Sequence, residues 1–239
     1  MIETAMVMAA GHGTRMRPLT NDRAKAMVEV AGRPLIDHML SRLDQAGVKR
    51  AVVNLHAHAD HLETHLKSVS SEFDLDIIMS DERDTLLETG GGVVKALPLL
   101  GQDPILICNI DAIWQERDVS VIPSLISRWN PDIMDDLLLL APIEHTMGYD
   151  GSGDFLFKHD GRLDWRGERA SAPYVYAGVQ IMKLDHIAQE PEEKFSRTRI
   201  WKKTVELGTA YGHPLDGFWM HVGDPGARDA AETRLARVG

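Results

Sequence analysis

The sequence predicts an α/β fold: a mixed, mostly parallel sheet flanked by helices. Two observations carry that expectation. Across the first half, short apolar runs alternate with segments of helical periodicity, at the spacing of successive βαβ units. The chain of 239 residues is 44% hydrophobic and 26% charged, enough apolar material for the core of one domain and no sign of disorder.

The elements follow in order. Residues 5–10 form an apolar run ending at Gly11, a buried strand. Residues 34–46 place Leu35, Met39, Leu40 and Leu43 at helical spacing between Pro34 and Gly47, a start and a stop. A strand over 51–55, a helix over 59–69 with Leu62 and Leu66 on one face, and a strand over 75–79 come next. A short helix over 92–100 and a strand over 105–109 complete the regular half. The second half is less even. It holds a helix over 121–129, a strand over 137–142, a turn over 150–154, and a hairpin of 155–158 with 162–165 around His159-Asp160-Gly161. A strand over 174–182, a helix over 200–207, a strand over 218–222 and a helix over 225–238 close the chain. There is no internal repeat, low-complexity tract or linker, so 1–239 is expected to be a single domain.

Charge and cysteine usage exclude several classes. The formal net charge of −10 argues against non-specific binding to nucleic acid or membranes, which needs clustered Lys and Arg. A single cysteine, Cys108, allows no intrachain disulfide and no Cys-based metal site; in an apolar strand it is expected to be inert. Met1-Ile2-Glu3-Thr4 carries an acid and no basic segment, and the apolar run behind it is too short to span a bilayer. A cytoplasmic protein is expected.

The first candidate site is the loop after the first strand, Ala9-Ala10-Gly11-His12-Gly13-Thr14-Arg15-Met16-Arg17-Pro18-Leu19-Thr20. Small residues and two glycines let the backbone come close to a ligand, with amides able to face anionic oxygens. Arg15 adds a fork-shaped positive charge suited to phosphate, and Lys25 a compact ammonium within reach of the same groups. Met16 at the third glycine argues against a dinucleotide fingerprint, which stays a distant reading, and no Gly-Lys-Ser/Thr follows to make a P-loop. A plain βα turn with surface arginines is the competing reading.

The segment from Ala10 to Thr20, then Lys25 and Val30-Ala-Gly-Arg-Pro-Leu35, resembles the signature of the sugar-1-phosphate nucleotidylyltransferases. Further along, Leu87-Glu-Thr-Gly-Gly-Gly-Val-Val-Lys-Ala-Leu-Pro98, Gly151-Ser-Gly-Asp-Phe155 and Ala177-Gly178 are most similar to the N-acetylmuramate-1-phosphate uridylyltransferases, with mannose-1-phosphate guanylyltransferase-like proteins second. The resemblance covers the whole chain. It implies a Rossmann-like fold of the glycosyltransferase-A type, with a nucleotide half to about residue 115 and a sugar-binding half from about 116. It also implies an NTP and a sugar 1-phosphate as small-molecule partners, Mg²⁺ as cofactor, and a role in NDP-sugar biosynthesis. Monomer and dimer stay open. The chain departs from the family at Lys25, which lies between Ala24 and Ala26 where two prolines are usual.

Asn109-Ile110-Asp111 follows the fourth strand, and an aspartate at the carboxyl end of a parallel strand faces the ligand crevice. Mg²⁺ prefers one or two carboxylates together with phosphate oxygens and water, so Asp111 suits it; the competing reading is a turn cap. The matching family motif places its metal aspartate here. A second family aspartate is expected in Trp-x-Asp-x-Gly, yet the chain has Trp219-Met-His-Val-Gly-Asp224, with His221 at that position. Three arrangements remain: Asp224 substitutes, His221 contacts phosphate or a metal-bound water, or Asp111 serves alone with water and phosphates. The last is favoured; Asp224 before Pro225 also fits a helix N-cap.

The resemblance assigns Arg15, Lys25 and Asp111 to catalysis. It places Ala9, Ala10, Gly11, Gly13, Thr14, Thr89 and Gly90 against the nucleotide. Glu88, Gly91, Asn109, Asp154 and Gly178 fall to the sugar side, Glu88 as acceptor for a hydroxyl or as a plain loop acid. The Glu-Lys pair with which many relatives grip the sugar phosphate is absent; Arg166 or Arg169 could replace it or simply be surface residues. His56, His58, His61 and His65 show no zinc pattern and are expected on a solvated helix face.

Overall fold

The computed structural model describes residues 2–101 and 104–237. In chain order the elements are β1 Thr4–Met8, the two-residue strands β2 Glu29–Val30 and β3 Arg33–Pro34, α1 Leu35–Gln45, β4 Arg50–Leu55, α2 Ala59–Val69, β5 Asp76–Asp81, α3 Glu88–Leu100, β6 Ile105–Asn109 and β7 Ala112–Glu116. The second half continues with α4 Val121–Arg128, β8 Asp136–Pro142, β9 Thr146–Met147, β10 Phe155–Phe157, β11 Leu163–Trp165, β12 Tyr174–Met182, α5 Thr198–Leu207, β13 Ala210–Pro214, β14 Gly217–His221 and α6 Pro225–Leu235. Val238, the expected end of the last helix, lies outside the described residues.

The main sheet runs β11-β10-β12-β6-β1-β4-β5, with β8 beside β12 and β13 beside β8. β6, β1, β4 and β5 are mutually parallel, as the βαβ rhythm requires. From β12 outward the pairing turns antiparallel, except for β13 on β8. The parallel character therefore belongs to the first half, where helices form the crossovers; the second half uses hairpins. A small sheet, β7-β14-β9, stands apart.

Local signals explain the element ends. α1 buries Leu35, Ile36, Met39, Leu40 and Leu43, and Gly47 at φ 78° stops it. α5 stops at Gly208 with φ 75°. The Asp224 carboxylate accepts the Ala227 N–H at 2.9 Å ahead of Pro225, which settles Asp224 as the cap of α6. α3 begins a full turn before the expected position 92, with Gly90, Gly91 and Gly92 inside it. Helix propensity disfavours that triplet; tertiary contacts described below override it. β13 was hidden by its Gly212 and Pro214, acceptable because it is an edge strand. Helices α1, α2 and α4 pack with one face of the main sheet, while α3 and α5 pack with the other.

One buried charge gives the core a pH signature. Asp136 at the start of β8 is fully buried, accepting from Gln180 Nε2 at 2.9 Å and from the Thr204 hydroxyl at 2.7 Å. Burial pushes its carboxyl from 3.8 up to about 6, against the opposing effects of Thr204 and Arg197. A raised acid titrates at higher pH in the fold than in the unfolded chain. Native stability from this group is therefore greatest below pH 4 and falls until about pH 6. The full difference is about 3 kcal/mol. Asp136→Asn should remove that slope, so the variant's Tm relative to wild type rises from pH 4 to pH 7. Parallel melting profiles would show that Asp136 does not titrate in this range. Cys108 is likewise fully buried, and burial pushes its thiol up to about 12, in keeping with an inert residue.

Candidate active site

The carboxyl ends of β6, β1, β4 and β5 share one edge of the sheet, where ligands bind in open α/β folds. The loop after β1 hangs over this edge and is pinned from below. Asn54 Oδ1 accepts the Ala9 and Ala10 amides at 2.6 and 3.1 Å, and Asn54 Nδ2 donates to Glu82 Oε1 at 2.7 Å. Both Asn54 and Glu82 are buried. These amides are thus committed to the protein, so Ala9 and Ala10 can meet a nucleotide through their carbonyls. Neither Asn54 nor Glu82 stood out in the sequence; the signal was a polar residue inside the apolar run of β4.

Further along the loop, Gly13 has φ 61°, and a Cβ there would lie 3.0 Å from Lys25 Cβ and 3.1 Å from Thr20 Cγ2. The Thr20 hydroxyl donates to the Gly13 carbonyl at 2.8 Å. Gly13 therefore lets the loop fold back on Lys25. Gly11 differs: a Cβ would meet nothing within 4 Å. The protein itself makes no steric demand there, as expected of a face kept open for a ligand. Thr14 and Arg15 are exposed at the loop tip. Beside them, His12, Thr14, Arg17, Thr20 and His58 line a cleft of about 440 Å³.

The structure brings three distant residues together. Lys25 Nζ donates to Asp111 Oδ2 at 2.6 Å, and His221 Nε2 approaches the same oxygen at 3.4 Å. Both side chains beside Asp111 are mostly buried. His221 arrives through β14, which pairs antiparallel with β7 so that His221 faces Ala112. Its ring stacks on Trp219 at 5.7 Å, and its Nδ1 lies 3.2 Å from the Gly148 carbonyl. Its two ring nitrogens thus lie against the Gly148 carbonyl and the Asp111 carboxylate. Burial alone would push the Asp111 carboxyl up; the Lys25 ammonium and the His221 ring outweigh it and hold the group well below the usual carboxylate range.

The donor set suits a divalent ion carried by phosphates. Asp111 offers one hard carboxylate, and among the described residues no cluster of three or more His, Cys, Asp or Glu could hold a metal. Asp224, one of the alternatives for a second carboxylate, is spent on capping α6. His221, at the position where the second family aspartate is expected, lies 3.4 Å from Asp111.

On the sugar side, Gly178 at φ 86° lies on β12, and a Cβ there would sit 2.7 Å from Ala112 Cβ and 3.4 Å from Asn109 Cβ. It lets β12 close against the turn that bears Asp111. The Asn109 Oδ1 atom is buried without a partner. Asp154 accepts the Tyr176 amide at 3.0 Å, and burial pushes its carboxyl up despite that bond. Arg166 lies next to it through its amide, which donates to the Asp154 carbonyl at 2.8 Å. Arg169 turns back onto the Trp165 and Arg166 carbonyls.

At the start of α3, Glu88 is exposed with φ 60°, a conformation uncommon for residues other than glycine. The glycines behind it answer to the protein's own packing. A Cβ on Gly90 would stand 2.3 Å from the Phe195 ring, and one on Gly91 would stand 2.0 Å from the Glu193 carbonyl. The Gly90 amide donates to the Phe195 carbonyl at 2.8 Å. The protein's own packing therefore already demands glycine at both positions. Thr89 joins the same contact by accepting the Arg197 amide at 2.9 Å.

The histidines depart from a solvated face. His58 and His61 are exposed, but His65 Nε2 pairs with Asp37 at 2.7 Å and His56 Nδ1 donates to the Glu82 carbonyl at 2.7 Å.

A glycine-bearing loop over the carboxyl edge of a parallel sheet, with an acid in the turn after the neighbouring strand, has the geometry that nucleotidyl transfer needs. Residues 4–124 match the family model for nucleotidyl transferases, and the chain belongs to that family. The N-acetylmuramate alpha-1-phosphate uridylyltransferase of Caulobacter vibrioides is 47% identical over 235 residues, 98% of this chain and 97% of that one. The enzyme of the same name from Neisseria meningitidis serogroup B is 44% identical over 92% of each chain. A UDP-glucose pyrophosphorylase complexed with UDP-glucose shares the fold, with a TM-score of 0.79, 16% identity and full coverage of both chains. The chain is thus an enzyme that transfers a nucleotidyl group to a sugar 1-phosphate, on a glycosyltransferase-A type fold. Among the described residues no helix is long and apolar enough to cross a membrane.

Proposed function

We propose that the enzyme transfers UMP from UTP to N-acetylmuramate 1-phosphate in the cytoplasm, giving the UDP-sugar and pyrophosphate for peptidoglycan recycling. The observation that carries the chemistry is the Lys25–Asp111–His221 cluster beneath the loop after β1. The substrates follow from the likeness to the two uridylyltransferases.

An oxygen of the sugar phosphate, already anionic, attacks the α-phosphorus of UTP, and the bond to the bridging oxygen of pyrophosphate breaks in line. No side chain needs to take a proton, so positioning and charge stabilisation do the work. Asp111 is the residue that would hold Mg²⁺, an ion that supplies charge neutralisation on phosphate oxygens. Lys25, paired with Asp111 in the free chain, is placed to turn its ammonium onto the α-phosphate. Gly11, Gly13 and Thr14 offer backbone groups to the triphosphate, and Arg15 reaches the leaving pyrophosphate. Arg15→Ala should raise the KM for UTP by roughly 10-fold, the scale of one charge-assisted contact. Unchanged UTP kinetics would remove Arg15 from the site.

Pyrophosphate release measured for UTP, GTP, dTTP and CTP against N-acetylmuramate, mannose and glucose 1-phosphates tests the substrates. The expected best pair is UTP with N-acetylmuramate 1-phosphate; a preference for GTP with mannose 1-phosphate would overturn it. His221 in place of a carboxylate supports a second reading, a nucleotide-binding regulator without turnover. Calorimetric binding of Mg²⁺-UTP with no product from any pair would favour that reading.

A further inference from the structure

Arg197, just before α5, is the one buried arginine among the described residues, with 2% of its surface exposed. Its Nη2 donates to the Tyr176 hydroxyl at 3.1 Å, and the guanidinium lies 5.6 Å from the Tyr176 ring and 5.3 Å from the Trp201 ring. Its Nε and Nη1 are buried without a partner. Among the described residues no carboxylate forms an ion pair with it. The buried Asp136 feels the Arg197 charge but gives its oxygens to Gln180 and Thr204. A buried guanidinium with two idle donors is a costly thing to keep in a fold. Such a group makes sense where a ligand brings the opposite charge.

Its position points to which ligand. The Arg197 amide is tied to Thr89 at the start of α3, beside Glu88. Tyr176, which is half-buried, stands two residues before Gly178 and takes the Asp154 carboxylate on its amide. On the other side of Gly178, Asn109 Oδ1 is a buried acceptor without a donor. Idle donors at Arg197 and an idle acceptor at Asn109 thus flank one stretch of β12. A molecule that fills both needs carries an anionic oxygen group and a hydroxyl or amide N–H, as a phosphorylated sugar acid does.

We propose that Arg197 is the counter-charge for an anionic group of the sugar substrate, reached past the Tyr176 ring. The inference rests on the sugar 1-phosphate reading above. Two oxygen groups of N-acetylmuramate 1-phosphate share the required chemistry: the phosphate and the carboxylate of the lactyl ether. A guanidinium meets either through paired N–H donors.

The test compares the wild-type chain with Arg197→Leu and Arg197→Lys. Initial rates are measured with UTP against N-acetylmuramate 1-phosphate and against N-acetylglucosamine 1-phosphate, which lacks the lactyl carboxylate. Binding of both sugar phosphates is followed by calorimetry and Tm by melting. Arg197→Leu should raise the KM for N-acetylmuramate 1-phosphate by roughly 30-fold, as loss of a hydrogen-bonded charge implies, with the KM for UTP held within about 2-fold. Arg197→Lys should recover part of that loss. A KM rise confined to N-acetylmuramate 1-phosphate assigns the lactyl carboxylate; an equal rise for both sugars assigns the phosphate. Unchanged KM and binding for both sugars in a folded variant would overturn the proposal. So would a collapse of Tm in both variants, which would make Arg197 a structural partner of Asp136. Should the wild type bind sugar phosphates without turnover, the functional reading fails while the binding arm still decides the role of Arg197. If it binds none, both fall.

Discussion

Asp111→Asn is expected to lower turnover at least about 100-fold, the scale of losing one preorganised electrostatic group. The substitution is nearly isosteric and keeps an oxygen at the site, so the loss reports charge. Two features make the charge decisive. Asp111 is the acid that the turn between β6 and β7 places at the cluster, against Lys25 and His221. It is also held ionised against burial by Lys25 and His221, so it stands ready at any pH near neutrality. The neutral amide can keep one hydrogen bond with Lys25 but cannot offset the charge of its ammonium. The measurement is kcat under saturating UTP and sugar phosphate over a range of Mg²⁺ concentrations. Wild-type turnover in the variant would place the ion elsewhere and sink the assignment. A loss that high Mg²⁺ restores would confine the role of Asp111 to ion affinity.

Much of this site was legible in the sequence because its signals are local. The loop from Ala9 to Thr20, Lys25 and the strand-end Asp111 all sit where a βα unit presents ligands. The strand of residues 174–182 and the helix of 59–69 were legible to the residue, since each carries one unbroken apolar pattern. Other features depend on contacts between distant segments. The Asn54–Glu82 bond that holds the loop joins β4 to the residue after β5, and nothing near either residue announces it. The glycines of α3 have their reason in Phe195 and Glu193, a hundred residues on. His221 looked like a missing ligand along the chain. Only the pairing of β14 with β7 shows that it takes up a position against Asp111. Arg197 had no motif at all; its meaning lies in two buried donors without a partner.

Lys25→Met should reduce turnover by about 100-fold, because the ammonium is the compact positive group placed to follow charge onto the phosphates. The same variant has a second, independent consequence in the free protein. Lys25 is the largest of the groups opposing the burial of Asp111. Without it, the carboxylate keeps the weaker His221 contact at 3.4 Å, and its pKa moves upward. The sign of the stability effect follows. In wild type the lowered pKa contributes stability above the ordinary carboxylate range, and that contribution fades as the pH drops through it. The variant should therefore melt lower than wild type at pH 8, by the equivalent of about 1–3 kcal/mol for a mostly buried carboxylate that has lost a hydrogen-bond donor. The difference should shrink as the pH falls into the acid range, because an Asp111 relieved of Lys25 takes up its proton before the wild-type residue does. Adding Asp111→Asn to Lys25→Met should cost less stability than the two single effects summed, as for any pair in direct contact. If Lys25→Met melts like wild type at every pH while turnover still drops, the ion pair contributes nothing to the fold, and Lys25 acts on the phosphates alone. If turnover is unchanged, the ammonium belongs to the resting structure only, and another cation serves the transferred group.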